Sequence, residues 1–250
     1  MINLKDFLDE KYNQYNTPQF IETDPIQIPH RFTRKEDIEI SAFLTATIAW
    51  GNRKMIIRNA DRIVRLLDNE PYDFVVNASE NEIESLSNFV HRTFNVVDLQ
   101  FFIKSLSNIY TKHDGLEAIF SKYPTDIPKT LVNFREIFFE IPFPERTSRH
   151  VSNVAKNSAA KRLNMFLMWM VRKDNRGVHF GIWKKIKPSV LFLPLDVHTG
   201  NVGRKLALLT RKQNDWKAVA EITKNLRKFD VVDPVKYDFA LFGLGIFEKF

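Results

Sequence analysis

The sequence predicts an all-α fold, and three observations lead to this prediction. Apolar residues recur at helical spacing in most segments, strand-type alternation is not sustained anywhere, and no repeat with a period of 20 to 50 residues is present. The chain has 250 residues, of which 44% are hydrophobic and 13% are aromatic. It is therefore long enough to bury a large core, either as one domain or as two intimate lobes.

The N-terminal part of the chain is predicted to contain two helices separated by an irregular segment. One helix covers 4–15, and three prolines keep 17–33 irregular. Thr33 and Glu36 have the spacing of a capping box, which predicts that a helix follows over 37–50.

A second group of helices follows a break at Gly51 and Asn52. The helix predicted over 53–67 is amphipathic, with apolar side chains on one face and arginines on the other. Ser79 and Glu82 form a further helix start signal. Additional helices are predicted over 97–111, 116–123 and 130–140.

The second half of the chain is organised around a lysine-bearing helix over 158–170. An extended piece is expected over 190–195, and Asp196 then begins a helix that runs to about Leu209. Another helix is predicted over 215–227. Asp233, which precedes a proline, is expected to cap the last helix.

The basic residues are concentrated in one part of the chain. Between positions 146 and 229 there are nineteen Lys or Arg residues and four acidic residues, a net charge of +15. Because the whole chain carries +7, the remainder carries −8. This asymmetry favours a polyanion as a partner, although a solvated lysine-rich surface explains a basic block equally well.

Lys161 lies near the start of its predicted helix, just before a long apolar run. The amide groups of a helix N-terminus, the neighbouring charge of Arg162 and the exclusion of water by apolar residues all disfavour an ammonium group. The surroundings therefore predict an amine that is nucleophilic enough to form a Schiff base. The alternative role for a lysine in a basic block is a phosphate contact or a plain surface position.

Asp196 follows an apolar run and precedes a predicted helix. An aspartate at such a position is usually an N-cap, and capping is compatible with catalysis because the same amide bonds hold the carboxylate ionised and oriented. His198 lies on the first turn of that helix, where it is a candidate for a structural donor or a DNA contact.

These residues resemble a known family. Residues 194–198, Pro-Leu-Asp-Val-His, are similar to the Pro-x-Asp-x-His segment of helix-hairpin-helix DNA glycosylases, particularly 8-oxoguanine glycosylases. Residues 46–52, Ala-Thr-Ile-Ala-Trp-Gly-Asn, resemble the early helix–loop–helix of that superfamily. The spacing of 35 positions between Lys161 and Asp196 is similar to the archaeal-type branch. The whole chain also resembles an uncharacterised bacterial family related to the superfamily.

The resemblance implies a two-lobed glycosylase-like helical fold with a cleft between the lobes. The chain would form a single bilobal unit over 1–250, with lobe A at about 1–37 plus 196–250 and lobe B at about 38–195. The implied function is DNA base excision of a damaged base such as 8-oxoguanine, with possible AP lyase activity. Lys161 would then be the nucleophile and Asp196 the catalytic carboxylate.

Several other residues are implied as contacts to DNA. Trp50, Gly51 and Asn52 would approach the nucleotide beside or opposite the lesion. Because the Leu-Pro-Gly-x-Gly hairpin and the cysteine cluster of some superfamily members are absent, side chains must replace the backbone contacts to phosphate. The expected replacements are Arg146, Arg149, Lys156 and Arg162, with His198 as a further contact.

Two other functions remain open at this point. The first is a non-catalytic nucleic-acid-binding protein of the same fold. The second is a metal-dependent phosphohydrolase that uses Asp196 and His198 with His150 or His179, although no regular ligand spacing supports it. We expect a monomer that acts on double-stranded DNA without a cofactor or metal.

The absence of cysteine and of an apolar N-terminal segment indicates the compartment. Disulfides and thiolate-bound metal clusters need cysteine, and no run of eighteen uncharged apolar residues occurs. We therefore expect a cytoplasmic, nucleoid-associated protein without a membrane span.

Overall fold

Helices account for nearly all of the regular structure in the computed structural model, which describes residues 3–250. The only strands in this part of the chain, β1 (Val90–His91) and β2 (Phe94–Asn95), form one short antiparallel pair. The all-α prediction is therefore confirmed. The helices are α1 (Leu4–Tyr15), α2 (Gln19–Thr23), α3 (Lys35–Thr47), α4 (Arg53–Leu66), α5 (Pro71–Asn77), α6 (Glu80–Ser85), α7 (Val96–Lys112), α8 (Gly115–Phe120), α9 (Ile127–Phe138), α10 (Lys161–Val171), α11 (Val197–Lys205), α12 (Trp216–Leu226) and α13 (Asp238–Ile246).

The chain divides into two units. Unit 1 contains residues 3–22, 124–128 and 153–250, and unit 2 contains 23–123 and 129–152. The segment 153–195, which the sequence analysis assigned to lobe B, thus lies in unit 1, and 23–37, assigned to lobe A, lies in unit 2.

A buried arginine explains why 153–195 joins unit 1. Arg172, at the end of α10, is 1% exposed, and its Nε lies 2.9 and 2.8 Å from the two carboxylate oxygens of Asp233. Its Nη2 also contacts Asp174 and the hydroxyl of Tyr12 in α1. A buried guanidinium needs such partners, so α10 is tied to the N- and C-terminal parts of the chain. No spacing in the sequence indicates a pair separated by 61 positions.

The core of unit 1 is formed by α1, α11, α12 and α13. Leu8, Val202, Ile222 and Leu241 are fully buried in it, together with Leu193 from the segment before α11. Gly243 lets α13 approach α1 closely, because a Cβ at that position would lie 2.1 Å from the ring of Tyr15. The same core therefore positions both α11 and the chain leading into it.

The core of unit 2 is built mainly from phenylalanine. Phe43 of α3 packs against Phe102 of α7 and against Phe134 and Phe138 of α9, with ring centroids 5.5 to 5.9 Å apart. Phe120 of α8 stacks on Phe134 at 4.5 Å. Aromatic rings bury large apolar areas, so this cluster holds the short helices of unit 2 together.

Two predicted helix caps are not formed. Thr33 and Glu36 do not form a capping box, because Arg34 is the residue that precedes α3 and no side chain caps it. Asp233 does not cap the last helix, because its carboxylate is bound to Arg172. The start signal at Ser79 and Glu82, in contrast, forms a complete capping box.

Helix ends also differ from the prediction, as two examples show. The helix predicted over 37–50 ends at Thr47, which leaves Trp50 in a loop. The helix that follows Asp196 ends at Lys205 rather than Leu209, since Ala207 has the left-handed φ of 57°. Among residues 3–250, no helix has the length and apolar character needed to cross a membrane.

Candidate functional site

Lys161 is the first residue of α10, and a left-handed residue precedes it. Ala160 has φ 48° and ψ 35°, and it is 1% exposed. Such a conformation is rare for a residue with a Cβ, so the surrounding structure must hold it. The N–H of Ala160 donates to Ser158 Oγ at 3.3 Å, and its carbonyl accepts from the N–H of Asn164 at 2.9 Å.

The segment that leads into α10 is braced against the start of α12. Asn157 Nδ2 donates to Asp215 Oδ2 at 2.9 Å, and the Asn157 carbonyl accepts from the N–H of Trp216 at 3.1 Å. The side chain of Arg211 forms two hydrogen bonds with Asp215, and these hold the pKa of that carboxyl well below its ordinary value. These contacts fix the direction in which α10 presents Lys161.

Asp196 is the N-cap of α11, as the sequence predicts. Its Oδ1 accepts from the N–H of Thr199 at 2.9 Å. Its carbonyl accepts from the N–H of Gly200 at 2.9 Å and from Asn214 Nδ2 at 3.0 Å. The buried Leu195 just before it anchors the chain in the core of unit 1. The cap therefore uses one carboxylate oxygen and leaves the other available.

The available oxygen of Asp196 faces Lys161. The distance from Lys161 Nζ to Asp196 Oδ2 is 4.0 Å, and the two side chains are 30% and 26% exposed. At this distance and exposure a charge pair contributes only about 0 to 1 kcal/mol to stability. The pair thus joins an amine and an oriented carboxylate, both reachable from solvent, without much effect on the fold.

Arg162 and His198 flank this pair in sequence. The guanidinium of Arg162 is largely buried, and burial lowers its pKa to about 10. His198 is exposed on the first turn of α11, and its Cβ lies 3.2 Å from the position that a Cβ on Gly245 of α13 would take. Arg162 is therefore only partly exposed, whereas His198 is exposed, and the expected contacts of both with phosphate remain predictions.

Trp50, Gly51 and Asn52 lie in unit 2, in the loop before α4. The Trp50 ring is half-buried, with its centroid 4.9 Å from that of His91 in an edge-on contact and 6.2 Å from that of His150. Gly51 has φ +101°, and the Arg92 guanidinium lies 2.7 Å from the position of a Cβ there, so glycine is required. Asn52 is exposed and caps α4.

Arg146 and Arg149, also in unit 2, differ in the contacts that their side chains make. Arg146 Nη1 lies 2.6 Å from Asp98 Oδ2 and 2.8 Å from Asn95 Oδ1, so this nitrogen is bonded within unit 2, and the expected phosphate contact stays a prediction. Arg149 is exposed and donates from Nε to the Arg146 carbonyl. Arg149 is thus the more accessible of the two arginines, and Arg146 is partly exposed.

The partner of Arg146 was not predicted from the sequence. Asp98 is fully buried and accepts hydrogen bonds from Arg146, Thr147 and the N–H of Asn95, while His150 Nε2 lies 3.3 Å from it. Burial raises the pKa of Asp98, but the interactions with His150, the N–H of Asn95 and Thr147 lower it to about 2. The only signal in the sequence was the capping-box spacing of Asn95 and Asp98.

Arginines and lysines of the basic block have different roles in unit 1. Arg204 donates to the carbonyls of Arg211 and Lys212, and Arg227 donates to the carbonyls of Val190 and Leu191. The lysines of unit 1 within the block carry the solvent-facing charge. The exposed ones are Lys156, Lys173, Lys184, Lys185, Lys187, Lys205, Lys212, Lys217, Lys224 and Lys228.

The two histidines suggested for a metal site have other contacts or belong to a different unit. His179 Nδ1 lies 2.7 Å from Arg172 Nη1, a cation that opposes metal binding beside it. His150 belongs to unit 2, whereas Asp196 and His198 belong to unit 1. Within residues 3–250 no three His, Cys, Asp or Glu side chains are grouped to hold a metal ion.

Comparisons with known proteins correct the family that the sequence resemblance suggested. A family model with the description "Protein of unknown function (DUF2400)" matches residues 24–247. No curated protein and no solved structure matches the chain. Assignment to the helix-hairpin-helix DNA glycosylase superfamily is therefore wrong, because the family that matches almost the whole chain is DUF2400.

Proposed function

Because the chain belongs to the DUF2400 family, whose description gives no function, we propose a function from the site itself. The protein is a DNA N-glycosylase with AP lyase activity that removes a damaged base such as 8-oxoguanine. Lys161 is the nucleophile and Asp196 is the carboxylate that orients it and stabilises positive charge on the sugar. The proposal makes no use of membership in any glycosylase superfamily.

The observation that carries the proposal is the geometry of Lys161 and Asp196. An amine at the start of one helix lies 4.0 Å from the unused oxygen of the N-cap carboxylate of another helix. The capping bond fixes the carboxylate, and both groups are partly exposed. Amine-nucleophile chemistry needs this combination, because the amine must lose a proton and the carbon that it attacks becomes cationic.

The reaction can be written with these two groups. The lysine amine attacks C1′, the bond from C1′ to the base nitrogen breaks, and the base leaves with that electron pair and takes up a proton. The carboxylate of Asp196 stabilises the cationic sugar carbon and accepts the proton lost by the attacking nitrogen. Opening of the sugar ring leaves an imine between Lys161 and C1′. Loss of a proton from C2′ then expels the 3′ phosphate, and hydrolysis of the imine regenerates the amine.

Binding to DNA is attributed to the exposed lysines of unit 1. Lysines such as Lys156 and Lys212 face solvent, and each phosphate that they neutralise releases a counterion and makes binding depend on salt. The loop of Trp50, Gly51 and Asn52 in unit 2 is the proposed contact for an unstacked base, because aromatic rings stack on nucleobases.

Borohydride trapping tests the nucleophile directly. Duplexes containing an abasic site are incubated with wild type, Lys161→Ala, Lys161→Arg and Lys156→Ala. Lys156 is an exposed lysine five positions before Lys161, so Lys156→Ala controls for the loss of one positive charge. We expect adducts with wild type and Lys156→Ala, and none with either Lys161 variant. Equal trapping by wild type and Lys161→Arg would show that Lys161 is not the nucleophile.

Asp196→Asn separates capping from catalysis. Asparagine is an equally good N-cap, so the variant keeps its fold and its DNA affinity. We expect excision of 8-oxoguanine to fall by at least about 100-fold, since the charge that stabilises the transition state is lost. Undiminished excision by a folded Asp196→Asn protein contradicts the assigned role.

The non-catalytic alternative is distinguished in the same assays. A protein that only binds nucleic acid shows affinity that falls steeply with salt, but it yields no adduct and no free base on any lesion. That result would show that the protein binds nucleic acid without catalysing base excision.

A further inference from the structure

Asn164 is a polar residue buried in the apolar part of α10. It is 1% exposed, and its neighbours in the helix are the apolar Leu163 and Met165. Its Nδ2 donates to the carbonyl of Ala159 at 3.2 Å. Its Oδ1 is buried and accepts no hydrogen bond from the part of the chain that the structure describes, residues 3–250.

An unsatisfied acceptor at this position is unfavourable for the fold. Buried polar atoms in native proteins nearly always have a partner, because an unpaired one loses its bonds to water without replacement. Asparagine is also a weaker helix former than leucine, which has a similar size and no polar atoms. The bond from Nδ2 to the Ala159 carbonyl gives the asparagine a structural role, but it does not use Oδ1, which keeps the capacity to accept from a donor outside the described chain.

The carboxamide of Asn164 lies at the same end of α10 as Lys161. Helical side chains tilt towards the N-terminus, and the bond to the Ala159 carbonyl shows that this one folds back over the first turn. Residues three apart are neighbours on a helix surface, so Asn164 adjoins Lys161 at about 60° around the axis. The carboxamide of Asn164 thus belongs to the first turn of α10, the turn that also carries Lys161.

The accessible part of α10 also centres on Lys161. Of the eleven residues of α10, only Lys161, Arg162 and Met165 are partly exposed, and the other eight are buried. Met165 follows Asn164 and lies one turn beyond Lys161. Its unbranched side chain has several rotatable bonds and can move to admit a ligand group. Met165 is therefore the side chain whose movement the inference below requires if a ligand at Lys161 is to reach Asn164.

We infer that Asn164 is a specificity-determining residue of this site, where its Oδ1 accepts a hydrogen bond from an N–H group of the base to be removed. This inference rests on the proposed function and names the substrate class, a nucleobase with an N–H donor on the edge presented to α10. The base completes the hydrogen bonding of Asn164 when it occupies the site, and the protein without substrate carries the unsatisfied oxygen. A base without such a donor leaves the oxygen unpaired and is bound less well.

The test uses Asn164→Leu, which keeps the size of the side chain and removes both polar groups. Duplexes carrying 8-oxoguanine, uracil or hypoxanthine, all bases with N–H donors, are assayed for excision, and an abasic duplex is assayed for borohydride trapping. An abasic site has no base to recognise, so trapping through Lys161 does not need Asn164. We expect Asn164→Leu to trap like wild type and to excise the wild-type substrate at least 10-fold more slowly.

The matched control is Asn133→Leu in unit 2. Asn133 is also a buried asparagine, 9% exposed, with Nδ2 unpartnered within residues 3–250, and its Oδ1 accepts from Lys122. Asn133→Leu removes a buried amide far in sequence from Lys161 and leaves excision unchanged. The melting temperature of Asn164→Leu should change little, because the replacement removes an unpaired acceptor but also the bond from Nδ2 to the Ala159 carbonyl. A purely structural asparagine gives a lower melting temperature and equal losses of trapping and excision.

Each other outcome overturns a defined statement. Wild-type excision rates in Asn164→Leu overturn the role of Asn164 while the proposed function stands. Trapping by wild type without excision of any of the three bases overturns the substrate class. Neither trapping nor excision by wild type overturns the proposed function and, with it, the inference.

Discussion

Asp98 in unit 2 and Asp196 in unit 1 both lie in the N-terminal region of a helix, but their carboxylates are used in opposite ways. Asp98 is fully buried and accepts from Arg146, Thr147 and the N–H of Asn95 at 2.6 to 2.9 Å. Asp196 is 26% exposed, caps α11 with one oxygen and turns the other towards Lys161 at 4.0 Å.

The difference teaches how to separate structural from functional charge in this protein. A carboxylate whose oxygens are all satisfied by neighbouring donors stabilises the fold and has no capacity for a substrate. A carboxylate with one oxygen that faces only a distant amine contributes little to the stability of the fold. That oxygen can still contact a substrate. The comparison therefore predicts large stability effects at Asp98 and small ones at Asp196 and Lys161.

Removal of the Asp98 carboxylate is expected to have the largest effect on stability. Asp98→Ala leaves the Arg146 guanidinium, the Thr147 hydroxyl and an N–H without their acceptor, and breaking a buried charged network costs about 3 to 5 kcal/mol. The free energy of unfolding from urea titration measures the loss. Thr147→Val removes one bond only and should cost about 1 kcal/mol. A loss below 1 kcal/mol for Asp98→Ala contradicts the structural role.

The pH dependence of stability is the second test of Asp98. Its pKa is about 2 in the folded protein against an ordinary value of 3.8. A lowered pKa means that the stabilisation is complete above about pH 4 and is lost as the pH falls through about 2. The contribution lost over this range is about 2 kcal/mol.

Unfolding free energies at pH 5 and pH 2 measure this contribution. Asp98→Asn has no carboxyl group at this position, so its stability should fall by about 2 kcal/mol less than that of wild type between the two pH values. Identical falls in the two proteins show that Asp98 titrates normally.

The capping role of Asp196 predicts a smaller effect. Asp196→Ala loses the bond to the N–H of Thr199 and should cost about 1 kcal/mol, whereas Asp196→Asn retains a capping oxygen and should cost less than about 0.5 kcal/mol. Thermal unfolding of both variants measures the difference. Equal destabilisation of the two variants would show that Asp196 stabilises the fold through its charge rather than through the capping bond. The contrast with Asp98 would then be wrong.

The fold was predictable where the relevant signal is local. Helical periodicity indicated α1, α4 and α12 to within one residue at either end, and the position of Asp196 after an apolar run identified it as an N-cap. Each of these signals lies within a few residues of the element that it describes.

Contacts between residues far apart in the sequence were not predictable, and these contacts account for the features of the structure that were not expected. Arg146 was expected to bind phosphate because an arginine in a basic block shows no sign of a buried partner 48 positions earlier. The expected lobes differ from the two units at 153–195, where Arg172 pairs with Asp233, 61 positions away. The unpaired Oδ1 of Asn164 was also not predictable, since the sequence does not show which buried polar atoms lack a hydrogen-bond partner.

Lys161 provides the smallest expected effect and the sharpest contrast with Asp98. Its ammonium is partly exposed and 4.0 Å from Asp196, so Lys161→Met should change the free energy of unfolding by no more than about 1 kcal/mol in either direction. The same variant should form no borohydride adduct, because methionine has no amine. Urea titration and trapping on one preparation measure both quantities. If Lys161→Met instead lowers the free energy of unfolding by several kcal/mol, the pair of Lys161 and Asp196 is a structural contact like that of Asp98. A residue retained for catalysis is expected to contribute little to stability.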